Sequence, residues 1–128
     1  YNREVPPNFI DSNVGVDTTE NAGRQLAELF DNQKLFDYPK PVSLIMYLIN
    51  FIERSNLTVL DFFAGSGTTF EAVCALNAQD KGKRRSILVQ KDENGIFELC
   101  KKRCQKVSEL FEQSAALQVE PLFISFTH

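Results

Sequence analysis

The stretch Asp61–Thr69, DFFAGSGTT, sets an acid at the end of a short apolar run and follows it with two glycines and three hydroxyl side chains. Glycines let the backbone turn tightly, and an amphipathic run begins at once after them. Backbone N–H groups at such a helix start favour an anion, either phosphate or carboxylate. A P-loop needs a lysine after its last glycine, and Gly67 is followed by Thr68, so that reading fails. A dinucleotide fingerprint fits at Gly65 and Gly67, but Phe70 occupies its third glycine position and obstructs a close helix–strand approach. A nucleoside carrying an amino acid suits the remaining chemistry. Asp61 can receive its ammonium, Ser66, Thr68 and Thr69 can donate to its carboxylate, and Phe62 or Phe63 offers a flat surface for its base. S-adenosylmethionine is the ligand that fits. A G-x-G after a strand is also often no more than a tight turn, and Asp61 also reads as a helix-capping acid.

These residues need a scaffold, and the pattern around them predicts one. Residues 58–62 read as a strand with little polar alternation, as in a parallel sheet covered on both faces. A helix over 68–77, a second buried strand over 86–90 and a long amphipathic helix over 95–114 follow. This βαβα order predicts an α/β domain with a right-handed crossover, and its ligands belong beyond the carboxyl ends of the strands. The loop 61–68 and the residues after Gln90 then share one rim. Upstream, Asp17, Thr18 or Thr19 caps a helix through Phe30. Pro41 opens another, VSLIMYLINFIERS, which is apolar nearly all round and is expected to be buried on more than one side. The tail VEPLFISFTH can form a last strand, pushed towards an edge by Pro121. Residues 1–17 read as an extended lead-in, leaving 18–128 as the domain.

The 128 residues suffice for one domain with its own core. A net charge of −3 argues against a stand-alone nucleic-acid binder. The basic clusters Lys81–Arg85 and Lys101–Arg103 read first as a solvated turn and a solvated helix face, and otherwise as phosphate contacts. Three cysteines cannot all pair, no signal-like segment precedes them, and no apolar run spans a bilayer, so a cytoplasmic protein with no membrane partner is expected. Cys100 and Cys104 lie at i, i+4, but the sole histidine, His128, is remote. Core thiols are expected there rather than a metal.

DFFAGSGTT resembles the cofactor signature D-x-F-x-G-S-G-T of amino-group DNA methyltransferases. FDYPKPVSLIMYLI (36–49) resembles their preceding motif, a Lys-Pro pair opening a helix, although Tyr38 stands where Thr is commoner. RRSILVQ (84–90) resembles the family's second strand. Together they are most similar to modification subunits of Type III restriction–modification systems, over roughly residues 8–107. The resemblance implies a Rossmann-like methyltransferase fold, a partial and mostly parallel sheet flanked by helices. It implies S-adenosylmethionine as cofactor and methyl transfer to adenine N6 of DNA, with the base flipped from the duplex. DNA would be met through the full-length protein, alongside a restriction subunit and a second modification subunit. The implied cofactor residues are Lys40, Pro41, Asp61, Phe62, Phe63, Gly65, Ser66, Gly67, Thr68 and Gln90. Gln90 stands where most such enzymes carry an acid for the ribose hydroxyls, a part that Asp92 or Glu93 can also take.

The family's catalytic D-P-P-Y motif has no match here. The adjacent prolines, in VPPNF, lack both the acid and the aromatic, so no catalytic residue is assigned. The expectation is a C-terminal, cofactor-binding part of a larger modification subunit, itself inactive on DNA. The competing expectation is a non-catalytic remnant or interaction module that keeps the fold.

Overall fold

A computed structural model describes residues 9–33, 35–115 and 122–126, with the backbone alone at 113–115 and 122–126. A 3-10 turn at Ser12–Val14 leads into α1 (Thr19–Leu29) and α2 (Val42–Asn50). Then β1 (Thr58–Asp61), α3 (Thr68–Asp80), β2 (Arg85–Lys91), α4 (Ile96–Ala115) and β3 (Leu122–Phe126) alternate. The strands form a parallel sheet in the order β1-β2-β3, with Leu60 beside Ile87 and Val89 beside Ile124. Parallel neighbours need long crossovers, and α3 and α4 supply them. The expected last strand is present at 122–126, on the outer side of β2. Of the expected lead-in, residues 1–8 lie outside the described residues.

Each helix start has a local cause. Thr18 caps α1 by accepting from Asn21 N–H at 3.2 Å. Asp17 N–H donates to Ser43 Oγ at 2.8 Å, tying the start of α1 to the start of α2. Pro41 is the N-cap residue of α2, one position before the first helical turn, and its carbonyl accepts from Leu44 N–H at 3.1 Å.

The core is organised around α3. One flank, Phe70 and Cys74, packs with Leu88 of β2 and Cys100, Cys104 and Val107 of α4. The other, Ala72, Val73 and Leu76, meets Ile49, Val42, Ile45 and Met46 of α2, and Val59 of β1. A third cluster seats Leu26 and Phe30 against Leu99. Each large apolar side chain buried in this way contributes roughly 1.5–3 kcal/mol.

Two expectations are corrected. α2 is not buried on more than one side: Ile49 is its buried residue, while Leu48, and Phe51 and Ile52 just past its end, stand exposed. The helix clamped on both flanks is α3, because it runs between α2 and α4. Nor is β1 covered on both faces. Val59 faces the core beside α2 and α3, but Leu60 is 50% exposed.

Candidate functional site

The carboxyl end of β1 is tied to the loop that follows. Asp61 Oδ1 accepts from Phe63 N–H at 2.9 Å, and Oδ2 accepts from Thr69 Oγ1–H at 2.6 Å. The acid thus closes the loop from strand end to helix start. A carboxylate has about four acceptor positions, so Asp61 keeps capacity for a further donor. The next strand completes the frame. Ala64 N–H donates to Val89 O at 3.2 Å, and Gly65 N–H donates to Gln90 Oε1 at 2.7 Å. The loop and the end of β2 therefore share one rim.

Two glycines permit this path. Gly65 has φ +55° and Gly67 φ +90°, in the left-handed region that favours glycine. A Cβ on Gly67 would also stand 3.2 Å from both Cys100 Sγ and Cys104 Sγ. The cysteines are therefore the floor under the loop. Cys104 is pushed up strongly by its hydrogen bond with Cys100 and by burial, so its thiol stays protonated. The thiol of Cys74, deeper in α3, is pushed up to about 12 by burial and, less, by Glu71.

Gly67 caps α3 with no side chain bonded across the helix start. The first N–H groups of a helix have no intrahelical partner, and here those residues, Thr68, Thr69 and Phe70, are buried. Phe63, 90% exposed, and Phe62, 61% exposed, flank the loop as uncovered aromatic rings.

The hydroxyls do not stand where the sequence suggests. Ser66, Thr68 and Thr69 are all buried. Thr69 serves Asp61, while Ser66 Oγ and Thr68 Oγ1 accept from Arg103 Nη1 at 2.8 and 3.0 Å. Gln90 is likewise committed, since its Nε2 donates to Lys91 O at 2.9 Å while its Oε1 holds Gly65.

Arg103 was hidden in a cluster expected to be solvated. It is 3% exposed, and its Nε and Nη2 both donate to Glu71 Oε2, at 2.9 and 2.7 Å. Arg84, in the other basic cluster, is 5% exposed and forks onto Asp80. The helical spacing of Cys100, Arg103, Cys104 and Val107 was the available signal, because it puts the arginine on the apolar face of α4. Lys81, Lys83 and Arg85, with Lys101 and Lys102, remain exposed as expected.

Lys40 is exposed next to the buried Pro41. Beyond the end of β2, Glu93, Gly95, Ile96 and Leu99 face Phe36, Asp37 and Tyr38 across an open cleft of about 840 Å³. Its lining includes no residue of the glycine loop. Lys91 and Glu93 form an ion pair at its edge.

The loop joins a strand-end acid to a helix start at the carboxyl end of a parallel sheet, the rim where ligands of such sheets generally bind. The sequence matches the N6/N4-type DNA methylase family over residues 9–101, and the chain belongs to that family. It is 45% identical over 103 residues to the Mod subunit of the Type III restriction–modification enzyme EcoPI from Escherichia phage P1, covering 70% of this chain and 16% of that protein. It is 43% identical over 72 residues to the Type II methyltransferase M.KpnI of Klebsiella pneumoniae, covering 56% of this chain and 17% of that protein. To the EcoP15I Mod subunit of Escherichia coli it is 37% identical over 102 residues, covering 69% and 16% respectively. The chain thus spans a small part of the length of the relatives it matches. Among the described residues, no helix is long and apolar enough to cross a membrane.

Proposed function

We propose that this chain is the cofactor-holding part of a DNA adenine-N6 methyltransferase of a restriction–modification system, built on a Rossmann-like methyltransferase fold over residues 18–128. The observation that carries the reading is the uncapped start of α3 lying beside Asp61. S-adenosylmethionine fits the groups present there and, when bound, supplies an activated methyl group on its sulfonium. Asp61 receives the ammonium on its spare acceptor positions. The carboxylate falls to the N–H groups of Ser66 and Thr68, because those of Gly65 and Gly67 are spent on Gln90 Oε1 and Ala64 O. Phe62 and Phe63 give apolar surface and help exclude water from the reacting end. Lys40 and Pro41 border the ligand from the start of α2. Gln90 acts by holding Gly65 in place, and the ribose hydroxyls fall to Asp92 or Glu93, next to the cleft. DNA, a restriction subunit and a second modification subunit are the partners, and the cytoplasm is the compartment.

Calorimetry with S-adenosylmethionine tests this directly. Binding should be saturable and should weaken by about tenfold or more in Asp61→Ala, which loses a charge-assisted contact. No heat at millimolar cofactor, or equal binding by Asp61→Ala, would remove the cofactor assignment for this chain.

A second reading has its own support. Leu48, Phe51, Ile52 and Leu60 are exposed, and β1 bonds only to β2 among the described residues. An interaction module that covers this surface with further polypeptide would explain them. Failure of the calorimetry together with self-association through this surface would favour it.

A further inference from the structure

The arginine beneath the glycine loop is in an unusual electrostatic position. Arg103 bonds Ser66 and Thr68, at the very start of α3, where the helix dipole is already positive. A cation there gains nothing from the helix, and a buried ion pair is a weak device for stability, because desolvation offsets much of the attraction. Glu71, in the first turn, answers the charge from below. The guanidinium is thus divided: one edge is held by Glu71, and Nη1 is left for the two hydroxyls.

That division fixes proton directions. Arginine has donors and no acceptor, so Ser66 Oγ and Thr68 Oγ1 must both accept from it. Each hydroxyl proton is then turned away from Arg103. A planar guanidinium can hold a carboxylate and two hydroxyls at once, whereas a lysine ammonium has no such fork. The residues on either side of Gly67 are thereby pinned to α4 from within.

We propose that Arg103 is the positioning residue of the glycine loop. It acts through Ser66 and Thr68 to set the amides at the start of α3 for the carboxylate end of the bound cofactor, and so rests on the cofactor reading above. It does not touch the ligand. Its removal should therefore be felt at one end of the ligand only.

The test compares S-adenosylhomocysteine with 5′-methylthioadenosine, which share nucleoside and thioether and differ in the amino-acid end. Calorimetry is run on the chain and on Arg103→Lys and Arg103→Met, with amide hydrogen exchange over residues 65–69. Both variants should bind S-adenosylhomocysteine on the order of tenfold more weakly and keep methylthioadenosine within about twofold. Exchange at Ser66–Thr69 should accelerate by about tenfold while β2 amides are unchanged. Parallel losses for both ligands, or unchanged loop exchange, would overturn the proposal, because a merely structural arginine would act on the whole pocket. Should the Arg103 variants not fold, Ser66→Ala with Thr68→Val removes the hydroxyl link and leaves the Arg103–Glu71 pair. The same split is expected there, and unchanged binding overturns the proposal. If the parent chain binds neither ligand, the cofactor reading fails, and the clamp is decided by the exchange rates alone.

Discussion

The two ends of α3 are built from the same materials and do different work. At each end a buried arginine forks onto an acid of α3, Arg103 onto Glu71 and Arg84 onto Asp80. At each end a glycine lies where a side chain would collide. At the C-terminal end the side-chain partners are close in the chain. Lys81 takes φ +55°, Gly82 N–H donates to Asp80 Oδ1 at 2.9 Å, and Asn77 brackets the backbone of Arg84 through its Nδ2 and Oδ1. Lys83 N–H donates to Ser55 O at 2.6 Å, locking this corner to the approach to β1. Most polar groups there are spent in making the corner, although Arg84 Nε is buried without a partner. At the N-terminal end the arginine arrives from another helix, its partners include hydroxyls of the loop, and no side chain caps the helix start.

Three substitutions would sharpen or break that contrast. The largest effect is expected from Gly67→Ala. A left-handed φ and two thiols against the new methyl together cost about 2–4 kcal/mol in urea unfolding, and cofactor binding should be lost with the loop path. Next, Arg84→Met should lower stability by roughly 1–3 kcal/mol while leaving S-adenosylhomocysteine affinity unchanged in the folded protein, because the corner carries no ligand. An affinity loss comparable to that of the Arg103 variants would mean that the two ends are one unit. The smallest effect concerns acid. The hydrogen bond from Arg84 holds the Asp80 carboxyl below its ordinary value of 3.8. Its contribution is therefore present above that value and fades as pH falls through the lowered one. Asp80→Asn should therefore lower the neutral plateau of an unfolding curve slightly and flatten its acid limb below about pH 4, the change being small because the Asp80 side chain is substantially exposed and screened.

Much of this was legible in the residues. The order of strands and helices, the helix start at Thr68, the closing role of an acid at Asp61 and the common rim of the loop and β2 all follow from periodicity, turn residues and the crossover rule. The misreadings share one cause. Periodicity says which residues lie on one face of an element, but not what lies against that face. α2 is apolar all round and yet half-exposed, while α3, whose Ala72 and Cys74 are small enough for close approach on either flank, is the helix enclosed. Arg84 and Arg103 sat in basic runs that look solvated because charge is counted along the chain, whereas burial depends on an acid across space.

By itself, then, the sequence determined the α/β class, the place of the glycine loop and the family, because these rest on local conformation and on spacing along one strand–turn–helix unit. Only the tertiary structure decided which polar groups of that loop are free. Ser66 and Thr68 turn inward because Arg103, more than thirty positions away on α4, arrives beneath them, and Gln90 is spent on Gly65 because β2 lies alongside β1. A hydroxyl or an amide carries the same donors and acceptors wherever it stands; its partner is set by what the fold brings within about 3 Å of it.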